Sequence, residues 1–280
     1  MENVIFSNPL EFERKKAALK AGGAQHLHVV ADYDKTLTTA FENGEKRQSL
    51  VELIRKHNYL SPEYPALAYG LFDKYHPFEI DPELLPDQRK EKMVEWWTVH
   101  VKIMGEQGMS RDIVERIVRE QPLNPRIGLS TFLDTLHSAH IPLLILSASV
   151  TDLIEGFLKK EKLLYDNIHV ISNKYNYDSA GKVIGYEGTI VHSLNKGEII
   201  LKDTPYFKQM QNRKNVILLG DGLDDVDMVA GMHYDCVLKI GFLNDNPDKN
   251  LDRFKKVYDV VILHDGSMDF VNDLLAEILS

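Results

Sequence analysis

Short apolar runs alternate with amphipathic stretches along most of this chain. The run LHVVAD at 27–32 predicts a buried strand that ends in an acid, and the stretch from Pro9 to Gly22 and Gly23 predicts a helix before it. After Pro125 the pattern predicts helix, strand, helix and strand in turn, from TFLDTLHSA, IPLLILS, TDLIEGFLKKEKL and IHVIS. Such alternation is typical of parallel βαβ units.

Three further apolar runs complete the predicted core. They are NVILLGD at 215–221, CVLKIGFL at 236–243 and DVVILHD at 259–265. The segment KVIGYEGTIVH, which Gly185 and Gly188 interrupt, is consistent with a hairpin. We therefore predict an α/β fold, with a Rossmann-like parallel sheet and helices on both faces.

The stretch from 41 to 125 has a different pattern, with helical periods and no convincing strand. Its apolar residues at helical spacing are Leu50, Leu53 and Ile54, then Ile113, Ile117 and Val118. Pro86 lies near a predicted helix start. Since 280 residues are many for a single core, we predict a core of residues 1–40 and 126–280 that carries residues 41–125 as an inserted helical domain.

Composition narrows the range of partners. The chain is 44% hydrophobic and 27% charged, so it has enough apolar residues for a packed interior. Its formal charge of -9 and pI near 5.7 show no excess of basic residues for binding nucleic acid. No run approaches the roughly 18 apolar residues of a membrane-spanning helix. Cys236 is the only cysteine and is interpreted as a small buried hydrophobe. We expect a soluble cytoplasmic protein that binds neither nucleic acid nor membrane and is a monomer or weak oligomer.

Polar residues follow the apolar runs where a parallel sheet places its ligand site. They are Asp32, Asp34, Ser147, Lys196 and Asp221. In DYDKT, the carboxylates of Asp32 and Asp34 can point the same way and share a divalent cation, although a strand-terminating acidic turn is the alternative. The Lys196 ammonium can balance phosphate and carboxylate charge, or it is a solvated surface group.

A second acidic cluster, GDGLDDVDM, follows another predicted strand. Asp221 can complete the metal site and Asp225 can orient neighbouring groups, and a polar, glycine-broken turn is the alternative. Ser147 lies where an anion binds at a helix N-terminus, but Ser149 with Asp152 also fits a helix-capping pattern.

The order of these motifs resembles that of a protein superfamily and, more closely, that of one family within it. DYDKT, LILSAS, NK and GDGLDD resemble the four motifs of haloacid dehalogenase superfamily phosphatases. More closely, the chain resembles the cytosolic 5′-nucleotidase III family from about 27 to 265. The segments that carry this likeness are HVVADYDKTLT, KMVEWWTVH, IPLLILSAS, ISNKYNYD, GKVIGYEGTIVHSLNK, VILLGDGLDDVDM, LKIGFLND and YDVVILHD.

The resemblance implies covalent phosphatase chemistry. Asp32 attacks the phosphorus, and Asp34 protonates the departing alkoxide and later activates water. Mg²⁺ is held by Asp32, the Asp34 carbonyl and Asp221. The phosphate is bound by Ser147, Ala148 and Lys196, of which Lys196 is also catalytic.

The resemblance further implies that the inserted helical domain is a cap that closes over the site. Glu95 is expected to contact the nucleoside, and Trp96 and Trp97 to stack a base, although tryptophans on a helix are more often core residues. Ser172 and Asn173 match a loop near the phosphate site, or are turn residues.

Four residues depart from the family pattern. Lys35 places an extra cation near the site unless its side chain turns away. Ser149 replaces a common glycine, so a less tight phosphate loop is expected. Gly222 and Asp224 stand where these nucleotidases more often have serine and glycine, and GDGLDD resembles phosphoserine phosphatases there.

The activity expected from the resemblance is magnesium-dependent hydrolysis of nucleoside 5′-monophosphates. Pyrimidine nucleotides and 7-methylguanosine monophosphate are the family's usual substrates. The alternatives are another small-metabolite phosphatase such as phosphoserine phosphatase, a nucleoside phosphotransferase and a non-catalytic binding protein. The presence of Asp32, Asp34, Lys196 and Asp221 together argues against the last.

Overall fold

The computed structural model describes residues 3–81, 83–197, 205–210 and 212–280. Its strands are β1 (Val4–Phe6), β2 (Leu27–Ala31), β3 (Phe41–Glu42), β4 (Glu45–Lys46), β5 (Leu143–Val150), β6 (Ile168–Tyr177), β7 (Val183–Glu187), β8 (Asn215–Gly220), β9 (Cys236–Leu243) and β10 (Val260–Leu263). Within the described ranges, eight of them form one sheet in the order β1-β10-β9-β8-β2-β5-β6-β7, and β3 pairs with β4. The edge strands β1 and β7 are antiparallel to their neighbours, and the strands between them are parallel.

Helices cover both faces of this sheet, which confirms the predicted α/β fold. They are α1 (Pro9–Gly22), α2 (Leu50–Lys56), α3 (Tyr64–Ile80), α4 (Pro86–Glu106), α5 (Arg111–Glu120), α6 (Leu129–Ser138), α7 (Thr151–Lys160), α8 (Pro205–Met210), α9 (Pro247–Val257) and α10 (Asp269–Leu279). Side chains of β2 alternate between the two apolar layers, with Val29 in one and Val30 in the other. No helix in the described ranges is both long and apolar enough to cross a bilayer.

The helices α2 to α5 lie between β2 and β5 in the chain, in the stretch 41–125. The two ends of this stretch lie side by side, because the Thr39 N–H donates to the Asn124 carbonyl at 3.1 Å. Helix α4 packs closely against β7, where a Cβ on Gly105 would lie 2.1 Å from the Val183 carbonyl oxygen. The stretch therefore leaves the sheet after β2 and returns beside the same point, and its helix α4 packs against the edge strand β7.

The structure corrects the sequence prediction in three places. The stretch 41–125 contains β3 and β4, although its pattern predicts no strand, because two residues per strand are too few to show a period. KVIGYEGTIVH is not a hairpin by itself: its residues Val183–Glu187 form β7, which pairs with the preceding β6. The edge strand β1 is unpredicted because its three half-buried residues carry little signal.

Candidate active site

Four ionisable side chains meet at the carboxyl ends of β2 and β8. Asp32 follows β2, and Asp221 follows the neighbouring strand β8. The Lys196 Nζ lies 2.7 Å from Asp32 Oδ1 and 3.2 Å from Asp225 Oδ1. These charge-assisted contacts are largely shielded from water, which strengthens them. Lys196 is thus held directly against Asp32.

Asp225 organises the turn that follows β8. Its Oδ2 accepts hydrogen bonds from the backbone N–H groups of Asp221 at 3.0 Å and Gly222 at 2.8 Å. A Cβ on Gly220 would lie 2.6 Å from the Asp225 Cβ, so the close approach requires glycine. The buried Tyr258 hydroxyl donates to the Gly222 carbonyl. Together these contacts fix the backbone that presents the Asp221 carboxylate.

Three carboxylates are close enough to share one cation. Oxygen atoms of Asp32, Asp221 and Asp225 lie within 4.8 Å of one another. Asp225 already accepts from Lys196 and from two backbone N–H groups, so its lone pairs are largely engaged. Asp32 and Asp221 are therefore the carboxylates best placed to bind a hard cation.

Burial and crowding raise the proton affinity of these acids. The pKa of Asp221 lies well above its usual value, first because of burial and then because of the Asp225 and Asp32 charges. Burial, followed by the Asp32 charge, raises the pKa of Asp34 to about 7. Burial alone would lower the pKa of Lys196, but the Asp225 and Asp32 carboxylates outweigh it and raise that pKa. Lys196 therefore stays charged at neutral pH.

The DYDKT turn lies between the sheet and α2. The Asp34 carboxylate accepts from the Leu50 N–H at 3.3 Å, at the start of α2. Lys35 has φ 61°, in the left-handed region that most residues avoid. Its side chain lines the same cavity as Asp34, and its charge offsets part of the rise in the pKa of Asp34. The extra cation expected from the sequence therefore faces the site.

The end of β5 forms the wall where the family resemblance places the phosphate. Because β5 runs to Val150, Ser147 lies inside the strand and not at a helix start. Ser147 is buried, and its Oγ accepts from the Ser149 N–H at 3.2 Å. The Asn173 side-chain amide donates to the carbonyls of Ala148 at 3.0 Å and Ser149 at 3.2 Å. Asn173 thus ties this loop to β6.

The helix-capping pattern at Ser149 and Asp152 is wrong. Helix α7 begins at Thr151 without a side-chain cap, and Ser149 Oγ has no hydrogen-bond partner among the described residues. Asp152 instead accepts from the Tyr175 N–H at 3.0 Å and from the Tyr177 hydroxyl at 2.7 Å. Asp152 therefore accepts hydrogen bonds from β6 instead of capping its own helix. A sequence pattern within one segment cannot show such a long-range contact.

These groups line one cavity of about 310 Å³ between the sheet and the inserted helices. Its floor, contributed by the core, consists of Asp32, Asp34, Lys35, Ser147, Ala148, Ser149, Lys196 and Asp221. Its upper wall, contributed by the inserted helices and the residue before α2, consists of Ser49, Val51, Arg55, Ala68, Phe72, Trp96, Trp97 and His100. The floor is charged and the upper wall is largely apolar and aromatic, as in many small-molecule sites.

The upper wall offers flat ring surfaces. Trp96 stacks on Tyr75, with ring centroids 6.0 Å apart and an interplanar angle of 12°, and meets Phe72 edge-on at 6.0 Å. The Trp97 ring lies 6.1 Å from the His100 ring. Burial lowers the pKa of His100 to about 3, so its ring is neutral. Such surfaces suit a planar ring.

Glu95 and Ser172 do not line the cavity. The Glu95 carboxylate accepts from the Tyr75 hydroxyl and from Lys92 Nζ, each at 2.7 Å, and its side chain is 41% exposed. Any effect of Glu95 on the cavity therefore passes through Tyr75 and the Trp96 ring stacked on it. Ser172 lies on β6, and its buried Oγ has no hydrogen-bond partner among the described residues.

Two arginines contact the site or its supporting turn although no sequence pattern indicates them. Arg55 lines the upper wall. Arg126 is 1% exposed and donates to the carbonyls of Thr36 at 2.7 Å, Gly266 at 2.6 Å and Lys35. Because these partners are backbone oxygens from distant segments, residue types in the sequence carry no sign of them.

The fold and the site define a phosphatase of the haloacid dehalogenase type. A family model described as pyrimidine 5′-nucleotidase (UMPH-1) matches residues 35–279. The chain belongs to this family, which confirms the resemblance drawn from its motifs.

Relatives match over nearly the full length of the chain. The 7-methylguanosine phosphate-specific 5′-nucleotidase A of Xenopus laevis is 34% identical over 275 residues, 98% of this chain and 95% of the relative. The 7-methylguanosine phosphate-specific 5′-nucleotidase of Homo sapiens is 34% identical over 277 residues, 99% of this chain and 92% of the relative. The crystal structure of cytosolic 5′-nucleotidase IIIB bound to cytidine superposes with a TM-score of 0.87 at 26% identity, covering 99% of this chain and 94% of that one.

Proposed function

We propose that this protein is a magnesium-dependent 5′-nucleotidase that hydrolyses nucleoside 5′-monophosphates to nucleoside and phosphate. The observation that carries the proposal is the pairing of Asp32 with Lys196 on the floor of a cavity whose upper wall is aromatic. Family membership and the names of the relatives support it. Phosphoserine calls for a small polar pocket, which this upper wall does not offer.

The carboxyl groups of Asp32 and Asp34 have different roles in the proposed reaction. An Asp32 oxygen attacks the phosphorus, the bond from phosphorus to the 5′ oxygen breaks, and Asp34 gives its proton to that oxygen. Asp34 then takes a proton from water, which attacks the aspartyl phosphate and releases phosphate and Asp32. A pKa of about 7 suits Asp34 to both proton transfers. Lys196 offsets the charge of Asp32 and of the phosphoryl group throughout.

The donor set fits Mg²⁺, which prefers hard oxygen ligands. We assign Asp32 and Asp221 as its carboxylate ligands and the Asp34 carbonyl as a further one. When bound, the ion neutralises phosphoryl charge and keeps the crowded carboxylates ionised.

The inserted stretch 41–125 acts in this proposal as a cap that holds the nucleoside. The base lies against Trp96 or Trp97, and Glu95 acts on it through Tyr75. The adjacent ends of the stretch support this division of the chain into a core and a cap. The cytosolic name of the cytidine-bound relative supports a cytoplasmic location.

Phosphate release from a substrate panel tests the proposal. CMP, UMP, 7-methyl-GMP, AMP and phosphoserine are offered with and without Mg²⁺, with Asp32→Asn as the inactive control. We expect Mg²⁺-dependent cleavage of nucleotides that the variant lacks. Cleavage of phosphoserine in preference to every nucleotide would overturn the proposal.

The role of Glu95 is tested separately. Glu95→Ala is expected to lower kcat/KM for CMP about tenfold and to affect p-nitrophenyl phosphate less, because only the nucleotide occupies the upper wall. Glu91→Ala, an exposed acid on the same helix, is the matched control. Equal losses on both substrates would remove Glu95 from recognition of the leaving group.

A further inference from the structure

The upper wall of the cavity carries one permanent charge. Of the residues that form this wall in the described part of the chain, Arg55 is the one that has a guanidinium, ammonium or carboxylate group. His100 is held neutral, and its Nε2 lies 2.9 Å from the Tyr64 hydroxyl. The remaining members are apolar, aromatic or hydroxyl side chains. A base bound here therefore meets a cation on an otherwise uncharged surface.

Arg55 lies against aromatic rings and forms no ion pair with an acid of the described ranges. Its Cζ lies 5.5 Å from the centroid of the Tyr69 ring and 5.8 Å from that of Phe72. Cation–π contacts of this kind orient a guanidinium without neutralising its charge. Its Nε is buried and has no hydrogen-bond partner among the residues that the structure describes. A buried donor of this kind is stabilised by an acceptor on a ligand.

The acid that could compensate a positively charged base is engaged elsewhere. The Glu95 carboxylate binds Tyr75 and Lys92, and Lys74 Nζ lies 3.8 Å away. The acids on the floor belong to the phosphoryl chemistry. Among the described residues of the upper wall, none supplies a negative charge to a base.

We propose that Arg55 makes this site select an uncharged base that presents a carbonyl acceptor, such as cytosine, uracil or guanine, and reject a cationic base such as 7-methylguanine. The inference rests on the proposed nucleotidase function and specifies its substrate class. It sets this chain apart from the relatives named for 7-methylguanosine phosphate.

Two physical effects of Arg55 act in the same direction. Methylation at N7 gives guanine a positive charge, and at an effective dielectric constant of about 20 two unit charges about 7 Å apart change binding by about fiftyfold. Methylation also removes the N7 acceptor, so that the bidentate contact of an arginine with N7 and O6 is lost. Adenine keeps N7 but presents an amino donor beside it, which suits Arg55 less well.

The test compares kcat/KM for CMP and 7-methyl-GMP in the full-length protein and in Arg55→Gln. We expect the unaltered protein to use 7-methyl-GMP at least about tenfold less well than CMP, and Arg55→Gln to raise the ratio of 7-methyl-GMP to CMP about tenfold. Lys56→Gln removes the same charge from the next, exposed position of α2 and should leave the ratio unchanged. Equal use of both nucleotides with a ratio that Arg55→Gln does not move would overturn the inference.

A nucleoside-binding experiment tests this inference independently of the proposed function. If p-nitrophenyl phosphate is cleaved but no nucleotide is, the proposed function fails. The role of Arg55 in base selection is then tested by binding. The affinities of cytidine and 7-methylguanosine for Asp32→Asn are measured by tryptophan fluorescence. Tighter binding of cytidine supports the inference, and tighter or equal binding of 7-methylguanosine overturns it. If Arg55→Gln does not fold, Arg55→Lys replaces it. That variant keeps the charge and loses the planar fork, so it should still reject 7-methyl-GMP while its use of CMP falls.

Discussion

Asp34 lies in the floor of the cavity and contacts the first of the helices above it. Its carboxylate accepts from the Leu50 N–H, and burial together with the charge of Asp32 raises its pKa to about 7. Near neutral pH it therefore exists in both protonation states. In the proposed mechanism, donating a proton to the departing 5′ oxygen requires the protonated form of Asp34, and activating water later requires the ionised form. One residue can perform both tasks because its environment, and not its chemical type, sets its pKa.

The first chemical step on CMP is expected to slow about tenfold per pH unit above about pH 7, because protonated Asp34 becomes scarce. Cytidine release in a single turnover measures this step. With p-nitrophenyl phosphate the departing phenolate needs no proton, so the same decline should be absent. A decline of equal size with both substrates would show that Asp34 is not the acid.

Asp221→Asn is expected to stabilise the metal-free protein. Burial, then the Asp225 and Asp32 charges, raises the pKa of Asp221, so the folded state binds more protons than the unfolded chain and stability falls as pH rises from about 4 toward that pKa. The variant should therefore melt at a higher temperature in EDTA at about pH 8. It should also lose most of the stabilisation by Mg²⁺, which is about 2.7 kcal/mol at a hundredfold excess over Kd.

Thermal unfolding followed by circular dichroism gives both quantities. Asp227→Asn, an exposed acid in the same turn, is the matched control and should change neither. If Asp221→Asn keeps the full shift with Mg²⁺, Asp221 is not a metal ligand.

At the scale of elements, Arg126 connects loops that follow three different strands. It binds the DYDKT turn after β2, the Asn244 Oδ1 after β9 at 3.1 Å, and the Asp265 Oδ1 after β10 at 3.1 Å. Burial lowers its pKa to about 10, so it remains charged at neutral pH. The Phe242 ring lies 4.1 Å from its Cζ. A planar fork with five donors can satisfy this many oxygens, whereas an ammonium cannot.

Arg126→Lys is expected to lower kcat on CMP about tenfold and to destabilise the fold, because the backbone of the DYDKT turn loses its support. Arg213→Lys is the matched control, since Arg213 also donates to backbone carbonyls, those of Ala24, Leu27 and His140, near the amino ends of β2 and β5. It should lower stability and leave kcat unchanged. Steady-state kinetics and urea unfolding separate the two effects. An unchanged kcat in Arg126→Lys would limit Arg126 to a structural role.

The sequence allowed the central strands and the floor to be predicted, because continuous apolar runs mark buried parallel strands and acids mark their ends. Asp32 and Asp221 were found in this way. Arg55 and Arg126 could not be found, since a single arginine on a helix or loop gives the same signal whether it faces solvent or a cavity. The partner of Asp152 lies on β6, and pairing across a sheet is invisible in a local capping pattern. Contacts between side chains and distant segments of the chain could not be predicted from the sequence.

On the scale of the whole molecule, α3 contacts the loop that carries Lys196. The Ser193 hydroxyl donates to Glu79 Oε1 at 2.6 Å, between the end of α3 and the residues just before Lys196. Arg89 of α4 donates to the Glu79 carbonyl. This hydrogen bond thus links α3 to the loop that carries Lys196. The position of these helices and the position of Lys196 are therefore coupled.

Ser193→Ala is expected to raise KM for CMP about two- to tenfold, with a smaller effect on kcat, because the inserted helices lose one contact that holds them over the floor. Ser179→Ala, in the exposed turn between β6 and β7, is the control. Unchanged KM values in both variants would show that this hydrogen bond does not contribute to closure of the site.

The floor and the upper wall of the cavity come from separate parts of the chain that meet where Thr39 pairs with Asn124. Under the proposed function, substitutions of the side chains of α2, α3 and α4 that line the upper wall can therefore alter which base is accepted without changing any residue of the floor. The substrate range of such a protein can then change through these side chains alone, as long as the contacts of α2 with Asp34 and of α3 with Ser193 are kept.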